Sequence, residues 1–202
     1  MVTVATQTMT FDEFLEWYPD GFGRYELIRG VVVEMSPTGL HERVIDRLSR
    51  KLIFEVERLQ LPYLFPRTCL VKSPDWESGY QPDIIVVDES KLAPEPLWEK
   101  AATLTRGESI KLAIEVVSTN WQMDYMTKLA DYERLQIPEY WIVDYLGLGG
   151  RRYIGSPKVP TVSVYSLVDG EYQVQQFRAG DRLVSPLFPD LQVTVDQILA
   201  IG

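Results

Sequence analysis

Three short apolar runs constrain this chain more than any other feature: Ile84-Ile85-Val86-Val87, Ile110 to Val117 with only Lys111 and Glu115 interrupting, and Tyr140-Trp141-Ile142-Val143. Each is bounded by turn-forming or charged residues and reads as a strand covered on both faces. Between the second and the third lies a helical pattern over residues 121–135, with Tyr125, Leu129, Tyr132 and Leu135 on one face and Pro138 closing it. Strand, helix, strand in this order predicts a right-handed crossover between neighbouring strands. A length of 202 residues is ample for such a core and suits one domain, or one domain with a small appendage.

The flanking segments carry their own signals. Thr10 and Glu13 form a T-x-x-E capping box before a helix whose apolar residues are Phe11, Phe14, Leu15 and Trp17, ended by Pro19-Asp20-Gly21. Residues 25–28 and 31–35 flank Arg29-Gly30 and predict a hairpin. From His41 to Gln60, Val44, Ile45, Leu48, Leu52, Val56 and Leu59 recur at helical steps, and Pro62 stops the pattern. Residues 63–71 read as a strand, 73–81 as a loop, and 89–107 as a loop with some helix. After Gly147-Leu148-Gly149-Gly150 the pattern changes, as at a sub-domain edge. Residues 162–167 and 172–177 flank an Asp169-Gly170 hairpin turn, short extended pieces follow at 183–184 and 191–195, and residues 195–201 suggest a closing helix. The expected class is α/β (α+β): a central mixed sheet flanked by helices, with antiparallel C-terminal strands.

Composition removes several kinds of function. No apolar run approaches the roughly 20 residues that span a bilayer, and the first ten residues have no basic residue and no long apolar core, so they do not read as a signal peptide. One cysteine, Cys69, excludes an internal disulfide and a cysteine-based zinc cage, and points to a reducing cytoplasm. One histidine, His41, excludes a multi-histidine metal site. The net charge of −9 opposes casual contact with nucleic acid, so a nucleic-acid role needs a local basic patch, metal ions or a partner.

The chemistry then rests on a few acids and one lysine. Asp83 opens the first apolar strand, and Glu115 lies 32 residues later near the end of the next. Carboxylates at the edge of a buried strand are costly unless paired or metal-bound, and two on neighbouring strands repel unless a cation lies between them. With a carbonyl oxygen and waters they suit a hard divalent ion such as Mg²⁺. Lys128 follows on the next helix, on one stripe with Asp124 and Tyr132, where an amine can hold a phosphate oxygen or the attacking water, and where a solvated lysine should leave folding nearly unchanged when replaced by alanine. Plainer readings stand beside these: Asp83 as a turn cap, Glu115 with Lys128 as a structural ion pair, Glu26 as a strand residue, and His41 as a hydrogen-bonded, half-buried residue. Two other Pro-Asp pairs, Pro74-Asp75 and Pro189-Asp190, enter no such strand.

These residues resemble the Asp…Glu-x-Lys core of the restriction-endonuclease-like (PD-(D/E)XK) superfamily and, more closely, the Uma2 family. The similar stretches are Tyr25 to Gly30, His41 at a helix start, Gln81-Pro82-Asp83, Glu115 to Ser118, Asp124 with Lys128 and Tyr132, and Pro138 to Asp144, in family order over nearly the whole chain. The superfamily's Glu-x-Lys lysine would stand at position 117, where this chain has Val117; Uma2 proteins carry it on the next helix, which Lys128 matches. The resemblance implies a single nuclease-fold domain over residues 1–202, with an N-terminal helix and hairpin (10–40), a core (41–146) and a C-terminal antiparallel extension (147–202). It implies Asp83, Glu115 and the Val117 carbonyl as metal ligands, Lys128 as the group orienting the nucleophile or stabilising charge, Glu26 as an auxiliary acid and His41 as a phosphate or water contact. The expected activity is Mg²⁺-dependent (Mn²⁺ as substitute) hydrolysis of phosphodiester bonds in nucleic acid, DNA before RNA. The expected assembly is a cytoplasmic homodimer away from membranes. The rival expectation is an inactive nuclease-fold module that binds a protein or nucleic-acid partner.

Overall fold

The computed structural model of the chain describes residues 8–19, 21 and 23–199. The first seven residues, Asp20 of the expected first turn, Phe22 and residues 200–202, which include the last two positions of the expected closing helix, lie outside the described residues. Helix α1 (Phe11–Trp17) starts where the capping box puts it: the Thr10 hydroxyl accepts from the Glu13 amide, and the Glu13 carboxylate accepts from the Thr10 amide at 2.7 Å. Strands β1 (Arg24–Ile28) and β2 (Val31–Met35) form the expected hairpin, with Arg29 and Gly30 at φ 49° and 80°. Positive φ at both turn residues gives the twist that a two-residue hairpin needs. Helix α2 (Gly39–Leu59) is capped by Thr38 and ends at left-handed Gln60.

The expected strand over 63–71 is two short ones, β3 (Tyr63–Leu64) and β4 (Leu70–Lys72). Pro66, between them, lacks the N–H that a continuous ladder requires. The expected loop at 73–81 contains β5 (Gly79–Tyr80), which pairs with both β1 and β4. Then come β6 (Ile84–Asp88), α3 (Trp98–Ala101), β7 (Thr103–Leu104) and β8 (Ile110–Val116). A π-helix, Met123–Lys128, runs straight into α4 (Leu129–Arg134). Strand β9 (Glu139–Asp144), α5 (Arg151–Ile154), the hairpin β10 (Thr161–Val168) with β11 (Glu171–Phe177), and α6 (Val195–Leu199) complete the order.

The fold is mixed α/β, with its strands divided between two sheets ordered β2-β1-β5-β4-β7 and β11-β10-β9-β8-β6-β3. Strands β8 and β9 are parallel and joined through the π-helix and α4, the crossover expected from their sequence. The C-terminal hairpin extends the six-stranded sheet, because β10 pairs along β9 from Thr161↔Asp144 to Ser166↔Glu139.

That sheet is covered on both faces, which explains its unbroken apolar runs. One face, with Ile84, Val86, Leu112, Ile114, Trp141 and Val143, packs on Val44, Leu48, Leu52 and Val56 of α2 and on the C-terminal segment. On the other, Ile85, Val87, Ala113 and Ile142 share a core with Tyr125 and Tyr132 of the crossover and with Val71 and Tyr80 of the smaller sheet. Phe11 and Phe14 of α1 pack with Leu27 and Leu70 in a third cluster. The site lies where the two sheets and the crossover meet.

Candidate active site

Ile84↔Ile114 is the terminal pair of the antiparallel β6–β8 ladder, so Asp83, the residue before β6, comes to the Glu115 end of β8. Asp83 prolongs the ladder through its side chain: Oδ2 accepts from the Val116 amide at 2.8 Å. His41, in the first turn of α2, reaches the same place. Its Nε2 lies 2.9 Å from the Val116 carbonyl oxygen and 3.2 Å from Asp83 Oδ2. Two acceptors at one nitrogen require the proton to sit on Nε2, which donates between them. Burial pulls the His41 pKa down, but the Asp83 carboxylate and the Val116 carbonyl more than offset it, and the net shift is upward. Arg24 Nη1 faces the other Asp83 oxygen at 3.7 Å.

Glu115 and Lys128 form the deeper half. Glu115 Oε2 is 3.0 Å from Lys128 Nζ, and Oε1 accepts from the Tyr132 hydroxyl at 3.1 Å. Lys128 Nζ also donates to Glu26 Oε1 at 2.9 Å and lies 3.9 Å from Asp124 Oδ1. Glu26 Oε1 accepts the Gln81 amide as well, at 2.9 Å, which ties β1 to the chain just before Asp83. The stripe Asp124, Lys128, Tyr132 therefore converges on Glu115 as its spacing suggests, although the first two residues belong to the π-helix. Such wider turns recur at functional sites.

Lys128 corrects one expectation. Its spacing suggested a solvated lysine whose removal would leave folding nearly unchanged, but its side chain is only 2% exposed. The reason is tertiary: Glu26 comes from β1, 102 positions away, and closes over the ammonium. Val117 follows β8 directly, with its side chain buried and its amide bonded to the Val143 carbonyl at 3.0 Å. Lys111, four residues before Glu115, pairs instead with Asp88 at 3.1 Å.

The electrostatics follow from three carboxylates around one ammonium, with Asp83 acting on Glu115 from beside them. Burial pushes the Glu115 pKa well above the carboxylate range; Lys128 opposes this, and Asp83, Asp124 and Glu26 add to it. Burial likewise raises Asp124 to about 7, against the pull of Lys128. Lys128 is held well above its ordinary value, because Glu115, Glu26 and Asp124 outweigh its burial. Among the described residues, no three His, Cys, Asp or Glu side chains converge as the ligands of one ion. The donor set of two facing carboxylates fits a hard divalent cation all the same. Each carboxylate has about four lone-pair sites, and the surplus of buried negative charge calls for a cation.

Arg24 is the site residue that the sequence reasoning missed. A signal was present: Arg24 and Glu26 are two apart on β1 and share a face. A cavity of about 210 Å³ opens beside Arg24, His41 and Asp83.

The comparisons with known proteins extend this geometry. Residues 11–196 match the model of the Uma2 family, described as "Putative restriction endonuclease". No curated protein matches the chain. Among solved structures, the chain is similar to "a putative nuclease belonging to DUF820" from Anabaena variabilis ATCC 29413, with a TM-score of 0.71 and 19% identity over 95% of this chain and 98% of that one. The two share a fold. With the family model covering nearly the whole sequence, this chain belongs to the Uma2 family.

Proposed function

We propose that the chain is a divalent-metal-dependent endonuclease that hydrolyses phosphodiester bonds of nucleic acid, DNA before RNA, with Mg²⁺ as the ion and Mn²⁺ as its substitute. The observation that supports this reading is the surplus of carboxylates: Glu26, Glu115 and Asp124 surround Lys128, and Asp83 accepts from the Val116 amide beside Glu115. Asp83, Glu115 and the Val117 carbonyl would hold the ion. When bound, it supplies Lewis acidity toward a phosphoryl oxygen and makes water more acidic. Glu26 fixes the Lys128 ammonium against Glu115, where its charge opposes the negative charge that develops during hydrolysis. His41 donates to Asp83 and so orients that carboxylate.

Cutting both strands of a duplex is simplest with two symmetry-related sites, so the proposed assembly is a C2 homodimer. The proposed location is the cytoplasm, and no described helix is long and apolar enough to cross a membrane. One observation favours a second reading, a non-catalytic binding module: Lys128 is sealed among its partners, and both Glu115 oxygens already have one. Incubating plasmid DNA with the parent protein and with Asp83→Asn separates the two. The nuclease reading requires cleavage in Mg²⁺ that EDTA abolishes and that Asp83→Asn lowers by about 10²-fold or more. Intact plasmid with the parent protein in both Mg²⁺ and Mn²⁺ selects the binding module.

A further inference from the structure

The cavity beside Asp83 lies at the carboxyl ends of the parallel strands β8 and β9, where open α/β sheets take their ligands. Its walls include Arg24 from β1, Thr38 and His41 from the start of α2, and Ser118 and Thr119 from the turn after β8. A volume of about 210 Å³ is several times the roughly 30 Å³ share of one water, so there is room for a tetrahedral anion.

Two groups on these walls have unused hydrogen-bonding capacity. Arg24 carries five N–H donors. Its nearest partners are loose, the Gln81 carbonyl at 3.5 Å and Asp83 Oδ1 at 3.7 Å, and its buried Nε has none. His41 is 7% exposed, and its Nδ1, buried without a partner, becomes a donor when the ring is protonated. Buried polar groups left unpaired call for an explanation, and an under-satisfied guanidinium beside a cavity is suited to a phosphate fork. Helix α2 adds the positive end of its dipole at Thr38. Asp83 is the carboxylate among the lining residues, and Arg24 faces it.

We propose that this cavity is a phosphate subsite for the nucleic-acid strand. Arg24 grips an internal phosphodiester next to the one being cut, with the Ser118 and Thr119 hydroxyls as further donors. The identity of the ligand rests on the nuclease reading, but its binding is measured without cleavage.

Anisotropy of a fluorescent single-stranded octanucleotide in EDTA provides the test, with 5′-hydroxyl and 5′-phosphorylated forms as separate arms. Arg24→Ala should weaken binding of the 5′-hydroxyl form by roughly 10-fold or more, as for a lost charge-assisted bond. It should also reduce the salt dependence, log K against log[salt], by about 0.7. Arg24→Lys should restore the salt slope but only part of the affinity, since ammonium lacks the fork. Arg106, which faces Glu108 at 3.7 Å away from this cavity, is the control, and Arg106→Ala should bind as the parent does. If Arg24→Ala melts early, the double variant Ser118→Ala with Thr119→Ala carries the test and should weaken binding with the slope unchanged. Parent-like binding and slope in the folded Arg24 variants overturn the subsite, as does binding that requires the 5′-phosphate. Arg24-dependent binding without cleavage in Mg²⁺ keeps the subsite and removes the nuclease reading. Cleavage without Arg24-dependent binding does the reverse.

Discussion

Removing the Lys128 ammonium is the sharpest perturbation of the site's energetics. Lys128→Met keeps much of the side chain's volume and removes the charge. Glu26 and Glu115, 2.9 and 3.0 Å from Nζ, then lose the same cation while staying buried. Breaking a buried ion pair from one side costs about 3–5 kcal/mol. For a chain of this size, that lowers Tm by on the order of 10 °C. The loss depends on pH with a definite sign. Burial raises the folded-state pKa of Glu115, and losing Lys128 removes the main opposing influence. A carboxyl whose folded pKa exceeds its unfolded value of about 4.3 folds readily while protonated. The penalty is therefore small below that value, grows as pH rises, and is complete above the folded pKa. Urea melts in EDTA at pH 5 and pH 7.5 should show the larger deficit at pH 7.5. Adding Glu115→Gln to Lys128→Met should return part of it, which a double-mutant cycle reads directly. A deficit below about 1 kcal/mol, typical of a surface pair, would refute the buried-network account and restore the solvated lysine expected from spacing.

Three other outcomes follow from the packing. Burial pushes the Asp88 pKa up, but bonds from Ser90 and Lys111 outweigh it and hold the carboxyl low, so its stabilisation is present above the unfolded value of about 3.9 and is lost as pH falls through the folded pKa. Asp88→Asn should thus cost about 1 kcal/mol at pH 7 by urea melt, and the difference from the parent should shrink in acid. Burial raises the Cys69 thiol to about 12, so iodoacetamide at pH 8 should modify it only after denaturation, as read by intact mass. Leu48, with 0% exposure between α2 and the six-stranded sheet, should cost roughly 2–5 kcal/mol on truncation to Ala, with chemical denaturation as the measure.

How far the sequence could be read depended on whether a signal was local. The capping box at Thr10 and Glu13, the Arg29-Gly30 and Asp169-Gly170 turns and the α2 periodicity are local, and the elements stand at those places. The apolar runs of β6, β8 and β9 identify strands because burial on both faces leaves no room for polar alternation. Strand β5 has two residues, Gly79 and Tyr80, too few for any period, and its pairing with β1 and β4 depends on distant segments. The π-helix was hidden as well: neighbours at i and i+4, such as Asp124 and Lys128, suit an α-helix and do not reveal a wider turn. At the candidate site, strand ends and helical spacing singled out Asp83, Glu115 and Lys128, and the fold brings Lys128 within 3.0 Å of Glu115. The burial of Lys128 was not, because its closest partner, Glu26, is supplied by the N-terminal hairpin.

The central claim, that Asp83 and Glu115 hold a divalent ion, is tested most directly by Mn²⁺-soaked crystals and anomalous diffraction at the manganese edge. The account predicts one peak between strands β6 and β8, within about 2.0–2.6 Å of an oxygen from each carboxylate, and its loss in Asp83→Asn. Crystals of the parent protein with no peak there, or with manganese bound elsewhere and unaffected by Asp83→Asn, would contradict it.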